Sequence, residues 1–161
     1  MRRILETISL LALTLQVWIV CGALYGSGRL PERVPVHFDM AGHPNRWGSP
    51  STFLVLTVVT VAVYLLITVV ARFPANFNYG GVEVSDENLP RLQALTINML
   101  AWIKMEMVCT LSWIQWAMIQ SARQMKGPYI PALLAPLGGL FITIAWFVAA
   151  MRKAGRSKQD L

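Results

Sequence analysis

Long apolar stretches without a charged residue alternate with short polar segments along this chain. Residues 7–28, 48–71 and 127–151 contain no Asp, Glu, Lys or Arg. A fourth stretch, residues 92–122, is equally long and is interrupted by Lys104 and Glu106. A helix needs about 20 apolar residues to cross a hydrocarbon core about 30 Å thick. The pattern therefore predicts four membrane-spanning helices, at about residues 7–27, 52–71, 92–121 and 130–151.

The composition indicates a membrane protein with one domain. Hydrophobic residues make up 55% of the 161-residue chain and charged residues 14%, whereas soluble domains carry about 25% charged residues. A soluble bundle of four such helices would have no polar face to present to water. The first span is expected to stay on the protein, because its apolar part is longer than the roughly 7–15 residues of a signal peptide. We therefore predict an all-α membrane protein.

The distribution of Lys and Arg predicts the orientation of the spans. With four spans both termini share one side, which carries eight Lys or Arg residues against five on the other side. Both termini are therefore predicted to be cytoplasmic, with a cytoplasmic loop at 72–91, a cytoplasmic tail at 152–161 and an external loop at 28–51. The expected location is the cytoplasmic membrane of a bacterium or archaeon. This topology accounts for the net charge of +6. No basic stripe with interleaved aromatic residues indicates a nucleic-acid partner.

The external loop contains a polar, turn-rich segment, residues 30–49, with the sequence LPERVPVHFDMAGHPNRWGS. VPVHF alternates as a strand does, and Pro35 restricts that strand to a sheet edge. MAGHPN then supplies turn residues, so a short hairpin on the outer ends of the helices is predicted. The candidate recognition residues of this loop are His37, Phe38, Asp39, Gly42, Arg46, Trp47 and Gly48.

The polar residues of this loop allow three interpretations. In the first, Asp39 and Arg46 pair across the turn and the histidines are solvated. In the second, His37, Asp39 and His43 bind zinc and serve a metal-dependent enzyme, although their spacing matches no metal-site signature. In the third, the loop is a rigid recognition surface. Without a signature for the second, no metal or cofactor is predicted.

The same loop resembles the signature of the bacterial membrane protein family built around the SdpI immunity protein. The sequence departs from the family pattern at Asp39, where Asn is usual, and at Pro50, where Lys is usual. The resemblance implies an external sensing or protective surface. The best known member resists a secreted toxic peptide and holds a transcriptional repressor at the membrane, but it has more spans than the four predicted here. The matching residues are Leu30, Pro31, Val34, Pro35, His37, Phe38, Gly42, Gly48 and Ser49.

Four polar residues of the third predicted span, Asn98, Lys104, Glu106 and Gln115, are candidate functional groups inside the membrane. At about 100° per residue, Lys104 and Gln115 share one side of the helix and Glu106 lies roughly 160° from Lys104. Lys104 and Glu106 are therefore not expected to pair. The long stem of Lys104 is expected to reach the cytoplasmic headgroups. Glu106 has less reach, and a charge at mid-bilayer costs about 2.5–3.5 kcal/mol, so Glu106 is predicted to be a buried functional carboxylate.

These features together predict an accessory membrane protein and not an enzyme, since no Ser-His-Asp set, phosphate loop or nucleophile elbow is present. The predicted role is immunity to a secreted peptide, sensing, or partnership in a membrane complex. The expected partners are the lipid bilayer and an external peptide or another membrane protein, and a homo-oligomer is left open. The alternative is a small ion- or proton-coupled transporter subunit that uses Glu106.

Overall fold

Four long helices and one β-hairpin make up the described part of the chain. The computed structural model describes residues 1–26, 30–124 and 130–156. The α-helices and strands in chain order are α1 (Arg2–Tyr25), β1 (Val34–Phe38), β2 (Pro44–Gly48), α2 (Phe53–Val70), α3 (Leu89–Gln124) and α4 (Ile130–Arg156). Each helix belongs to a segment long and apolar enough to cross a membrane. The predicted class is confirmed: a helical membrane protein with a short hairpin between its first two helices.

The helices extend beyond the predicted spans, and this changes which residues they contain. Helix α1 begins at Arg2 and not at about residue 7, so Glu6 belongs to it. Helix α4 continues to Arg156, past the predicted end at 151. Residues 28 and 29 of the predicted external loop and residues 157–161 of the predicted tail lie outside the described residues.

Helix α3 is the central element, because it packs against each of the other three helices. Its 36 residues correspond to about 54 Å, which exceeds the hydrocarbon core of about 30 Å. Contacts of Lys104 with Glu6 and of Ser112 with Gln16 show that α1 runs parallel to α3. Helix α4 runs antiparallel to α3, because Thr143 contacts Glu106 whereas the later residue Met151 contacts the earlier residue Thr96.

The hairpin closes one end of this bundle, which we call the hairpin end. Strands β1 and β2 are antiparallel, with Val34 opposite Gly48 and irregular register near His37. Val34 is fully buried in a cluster with helix residues that come from α1, α2 and α3. The opposite end, which holds Arg2, Val70, Leu89 and Arg156, is the terminal end. The helix residues of the cluster around Val34 are Val20, Ala23, Phe53, Ile119 and Ala122.

Apolar side chains remain exposed along the outer faces of the helices. Trp18 of α1 is 72% exposed, Val58 of α2 is 67% exposed, and Ile142 of α4 is 72% exposed. Exposed apolar patches of this extent are unusual on a soluble monomer. These faces are the surfaces that lipid chains would cover.

Candidate functional site

Asp39 organises the turn of the hairpin through hydrogen bonds from the backbone. Its Oδ1 accepts from the N–H of Ala41 at 2.9 Å and from the N–H of His43 at 2.8 Å. The bond from the His43 N–H, followed by the one from Ala41, lowers the pKa of Asp39 against a smaller opposing effect of burial. Gly42 completes the turn at φ 84°, a region that favours glycine. The turn is therefore held by its own side chain and backbone.

The ion pair between Asp39 and Arg46, which the first interpretation of the loop requires, does not form. Asp39 instead lies against the ring of His43, with Nδ1 and Oδ2 3.4 Å apart. Arg46 lies opposite His37 in the strand register, and its side chain makes no ion pair with a described carboxylate. The structure does not support this part of the first interpretation, because the carboxylate of Asp39 bonds to the turn amides.

The three candidate zinc ligands are not brought together either. His37 uses Nδ1 in a contact of 2.5 Å with Oδ1 of Asn45, whereas His43 lies against Asp39. Within the described ranges, no group of three or more His, Cys, Asp or Glu side chains could hold a metal ion. The geometry therefore gives no support to the metal-dependent enzyme.

The outer surface of the hairpin combines aromatic, apolar and charged groups. His37 and Arg46 are exposed, Trp47 is 40% exposed, and Met40 near the turn is 85% exposed. Met40 was not among the predicted residues. Phe38 and Gly48 are half-buried. A Cβ added at Gly48 would come within 3.2 Å of the side chain of Val36, so Gly48 permits the close packing of the two strands.

Lys104 lies inside the bundle and forms an ion pair that the sequence analysis missed. Its side chain is 7% exposed, and its Nζ donates to Oε2 of Glu6 at 2.5 Å. Nζ also donates to the hydroxyl of Thr68 at 3.0 Å and lies 4.7 Å from the ring centroid of Tyr64. The hydroxyl of Tyr64 donates to the other oxygen of Glu6. The prediction that Lys104 reaches the headgroups was wrong, because a carboxylate on α1 balances its charge in place.

The sequence contained a weak signal for this pair. Glu6 directly precedes the first charge-free stretch. The first predicted span begins at residue 7 and therefore does not include Glu6. Glu6 lies four residues from Arg2, which is about 6 Å along the helix. A carboxylate one turn inside a span can pair with a lysine on a neighbouring helix. Which residue of α3 lies at the same depth as Glu6 is set only by the packing of the two helices.

Glu106 lies on another side of α3 and contacts α4. Its Oε1 accepts a hydrogen bond of 2.6 Å from the hydroxyl of Thr143. Its Oε2 is buried, and no described residue donates to it. Glu106 and Lys104 thus have different partners, as the helical spacing predicts. An ionisable side chain within a membrane span is a candidate functional group.

Gln115 and Asn98 differ in their surroundings. Gln115 is fully buried, with 0% of its surface exposed. Neither its side-chain nitrogen nor its side-chain oxygen has a hydrogen-bond partner among the described residues. Asn98 is half-buried and lines an open apolar groove with Trp102 and Trp146. The structure therefore does not bring the four predicted polar residues into one site.

A second buried polar layer was also missed by the sequence analysis. Nε2 of Gln16 donates to the hydroxyl of Thr60 at 3.1 Å, and the hydroxyl of Ser112 donates to Oε1 of Gln16 at 3.0 Å. One residue from each of α1, α2 and α3 takes part. The layer ties these three helices together between the hairpin end and the ion pair of Lys104.

The comparison with protein families locates the shared part of the chain in the hairpin region. Residues 12–61 match the family described as domain of unknown function DUF1648. The match covers most of α1, the whole hairpin and the first half of α2. No curated protein and no solved structure matches the chain. The matched range excludes Glu6, Lys104 and Glu106.

Proposed function

We propose that the protein is a non-enzymatic accessory protein of a cytoplasmic membrane, with the hairpin as a surface that binds an external peptide or another membrane protein. The main support is that one side of the hairpin is buried in the helix bundle while the other side is exposed. Val34 is fully buried in the bundle, while His37 and Arg46 remain exposed. A surface fixed in this way loses little conformational entropy when it binds a partner.

The family match adds weight to this role for the hairpin. Residues 12–61 contain the loop that resembles the SdpI-type signature, together with the helices that hold it. A rigid external surface suits immunity to a secreted peptide or sensing.

A photo-crosslinking residue in place of Arg46 tests the proposal. Introduced in intact cells of the native host, it should give adducts with a peptide or protein. The same residue in place of Val58, which is 67% exposed on α2, is the matched control and should give lipid adducts only. Lipid adducts alone at both positions would contradict a recognition surface.

A second candidate, an ion- or proton-coupled transporter subunit, has one observation in its favour. Oε2 of Glu106 is buried without a donor among the described residues, and ionisable groups within membrane spans line ion and proton pathways. Purified protein in vesicles with an internal pH-sensitive dye should then show proton flux. Glu106→Gln should insert normally and lose the flux, whereas Glu106→Lys should impair insertion. Absence of flux in the unmodified protein would exclude this role.

A further inference from the structure

A cationic cavity opens at the terminal end, between α1, α2 and α3. Its volume is about 290 Å³. Thr68 adds a hydroxyl to the lining, and apolar side chains form the rest of the wall. The charged lining residues are Arg2, Arg3, Glu6, Arg72 and Lys104. The cavity thus lies directly beside the ion pair of Lys104 and Glu6.

Positive charge exceeds negative charge in this cavity. Four cationic side chains face one carboxylate, which leaves a formal charge of +3. Both oxygens of that carboxylate, Glu6, are already engaged, one by Lys104 and one by Tyr64. Arg2, Arg3 and Arg72 form no ion pair with any carboxylate in the described part of the chain. Arg2 interacts electrostatically with Glu6, so the guanidinium groups of Arg3 and Arg72 are the ones most available to a ligand.

The cationic side chains of the cavity lie at two depths in the bundle. Arg3 and Arg72 are exposed, and Arg72 directly follows the last turn of α2. Lys104 contacts Glu6 about one helical turn further into the bundle. The arginines thus form the mouth of the cavity and Lys104 its floor. The mouth lies where a span meets the membrane surface, the level at which lipid phosphates are found.

We propose that this cavity binds a phosphate group. Guanidinium groups present paired donors that match phosphate oxygens, and basic pockets between membrane helices are suited to anionic headgroups. The group can come from the headgroup of an anionic phospholipid or from a soluble phosphate. The apolar wall formed by Ile67, Ala71 and Leu100 favours the lipid, since it can cover the first carbons of an acyl chain.

The experiment is a binding titration of the purified full-length protein in neutral detergent, followed by native mass spectrometry. Phosphatidylglycerol is the anionic probe, phosphatidylcholine the zwitterionic control, and inorganic phosphate the soluble probe. The test variant combines Arg3→Gln and Arg72→Gln. The matched control combines Arg152→Gln and Lys153→Gln, which removes two exposed charges at the same end from residues that do not line the cavity.

Phosphatidylglycerol should bind more tightly than phosphatidylcholine. At about fivefold in affinity for each cation near an anionic surface, the test variant should bind phosphatidylglycerol roughly 25-fold more weakly, while the control variant stays close to the unmodified protein. If inorganic phosphate binds with the same dependence on the variants and displaces the lipid, the cavity holds a soluble phosphate.

Two results would overturn the proposal. Equal weakening by the control variant would show that the charge of the whole terminal end attracts the lipid and that the cavity is not a site. Equal binding of the two lipids, with no binding of phosphate, would show that the cavity does not select for an anion. The lipid-free unfolding temperature should be the same for all variants, because the four substituted side chains are exposed.

Discussion

The ion pair between Glu6 and Lys104 should respond asymmetrically to substitution of its two members. Glu6→Gln leaves the ammonium group of Lys104, whose side chain is 7% exposed, without a counter-charge. Breaking a buried pair from one side costs about 3–5 kcal/mol. The hydroxyl of Thr68 and the ring of Tyr64 still contact the ammonium group, so we expect the lower limit, about 3 kcal/mol.

Lys104→Met should cost less. The carboxylate of Glu6 is 35% exposed and keeps the hydrogen bond from Tyr64, so water compensates for much of the loss. The loss of one hydrogen bond to a charged group is about 1.5–3 kcal/mol, and we expect the lower limit, about 1.5 kcal/mol. The double variant contains no unpaired charge. Replacing both members of a buried pair is often neutral, so its cost should stay below about 1 kcal/mol.

The decisive comparison is between Glu6→Gln and the double variant. Unfolding free energies, measured by chemical denaturation in one detergent, should show that adding Lys104→Met to Glu6→Gln restores about 2 kcal/mol. Lys153→Met, at an exposed position, is the control and should change little. A double variant as unstable as the sum of the two single variants would refute the reasoning, since it would mean that the two charges do not interact.

Three further predictions concern the hairpin and the topology. Gly42→Val should destabilise the turn by about 1–2 kcal/mol, because φ is 84° there; circular dichroism should show unchanged helix content, and Gly42→Asn should be tolerated better. In a variant without the native cysteines, a cysteine at Ser49 should react with a membrane-impermeant maleimide in intact cells and one at Lys153 should not, whereas the reverse pattern would invert the topology. The His43 amide hydrogen bond to Asp39 lowers the pKa of that carboxyl from its ordinary 3.8, so the stability it gives the turn should be present above that pH. This stability should be lost as the pH falls through the lowered pKa of Asp39, and hydrogen exchange of the His43 amide should then become faster. Asp39→Asn should remove the pH dependence of that exchange.

The number of long helices and the presence of the hairpin follow from the sequence alone. Both depend on neighbouring residues: apolar runs long enough to cross a bilayer, and a strand–turn–strand pattern with Gly42 at a position that needs positive φ. The opposite orientation of Lys104 and Glu106 on α3 also follows from helical spacing alone. These properties are local, so no knowledge of the packing was needed.

The contacts between polar groups, in contrast, depend on how the helices pack. Lys104 and Glu6 are 98 residues apart in the chain, and no periodicity indicates that α1 and α3 are parallel and aligned at that depth. The same holds for Gln16, Thr60 and Ser112, one from each of three helices. In the hairpin, Asp39 accepts hydrogen bonds from the backbone of its own turn and does not pair with Arg46. Partners of polar side chains depend on distances between elements, and those distances are set when the helices pack.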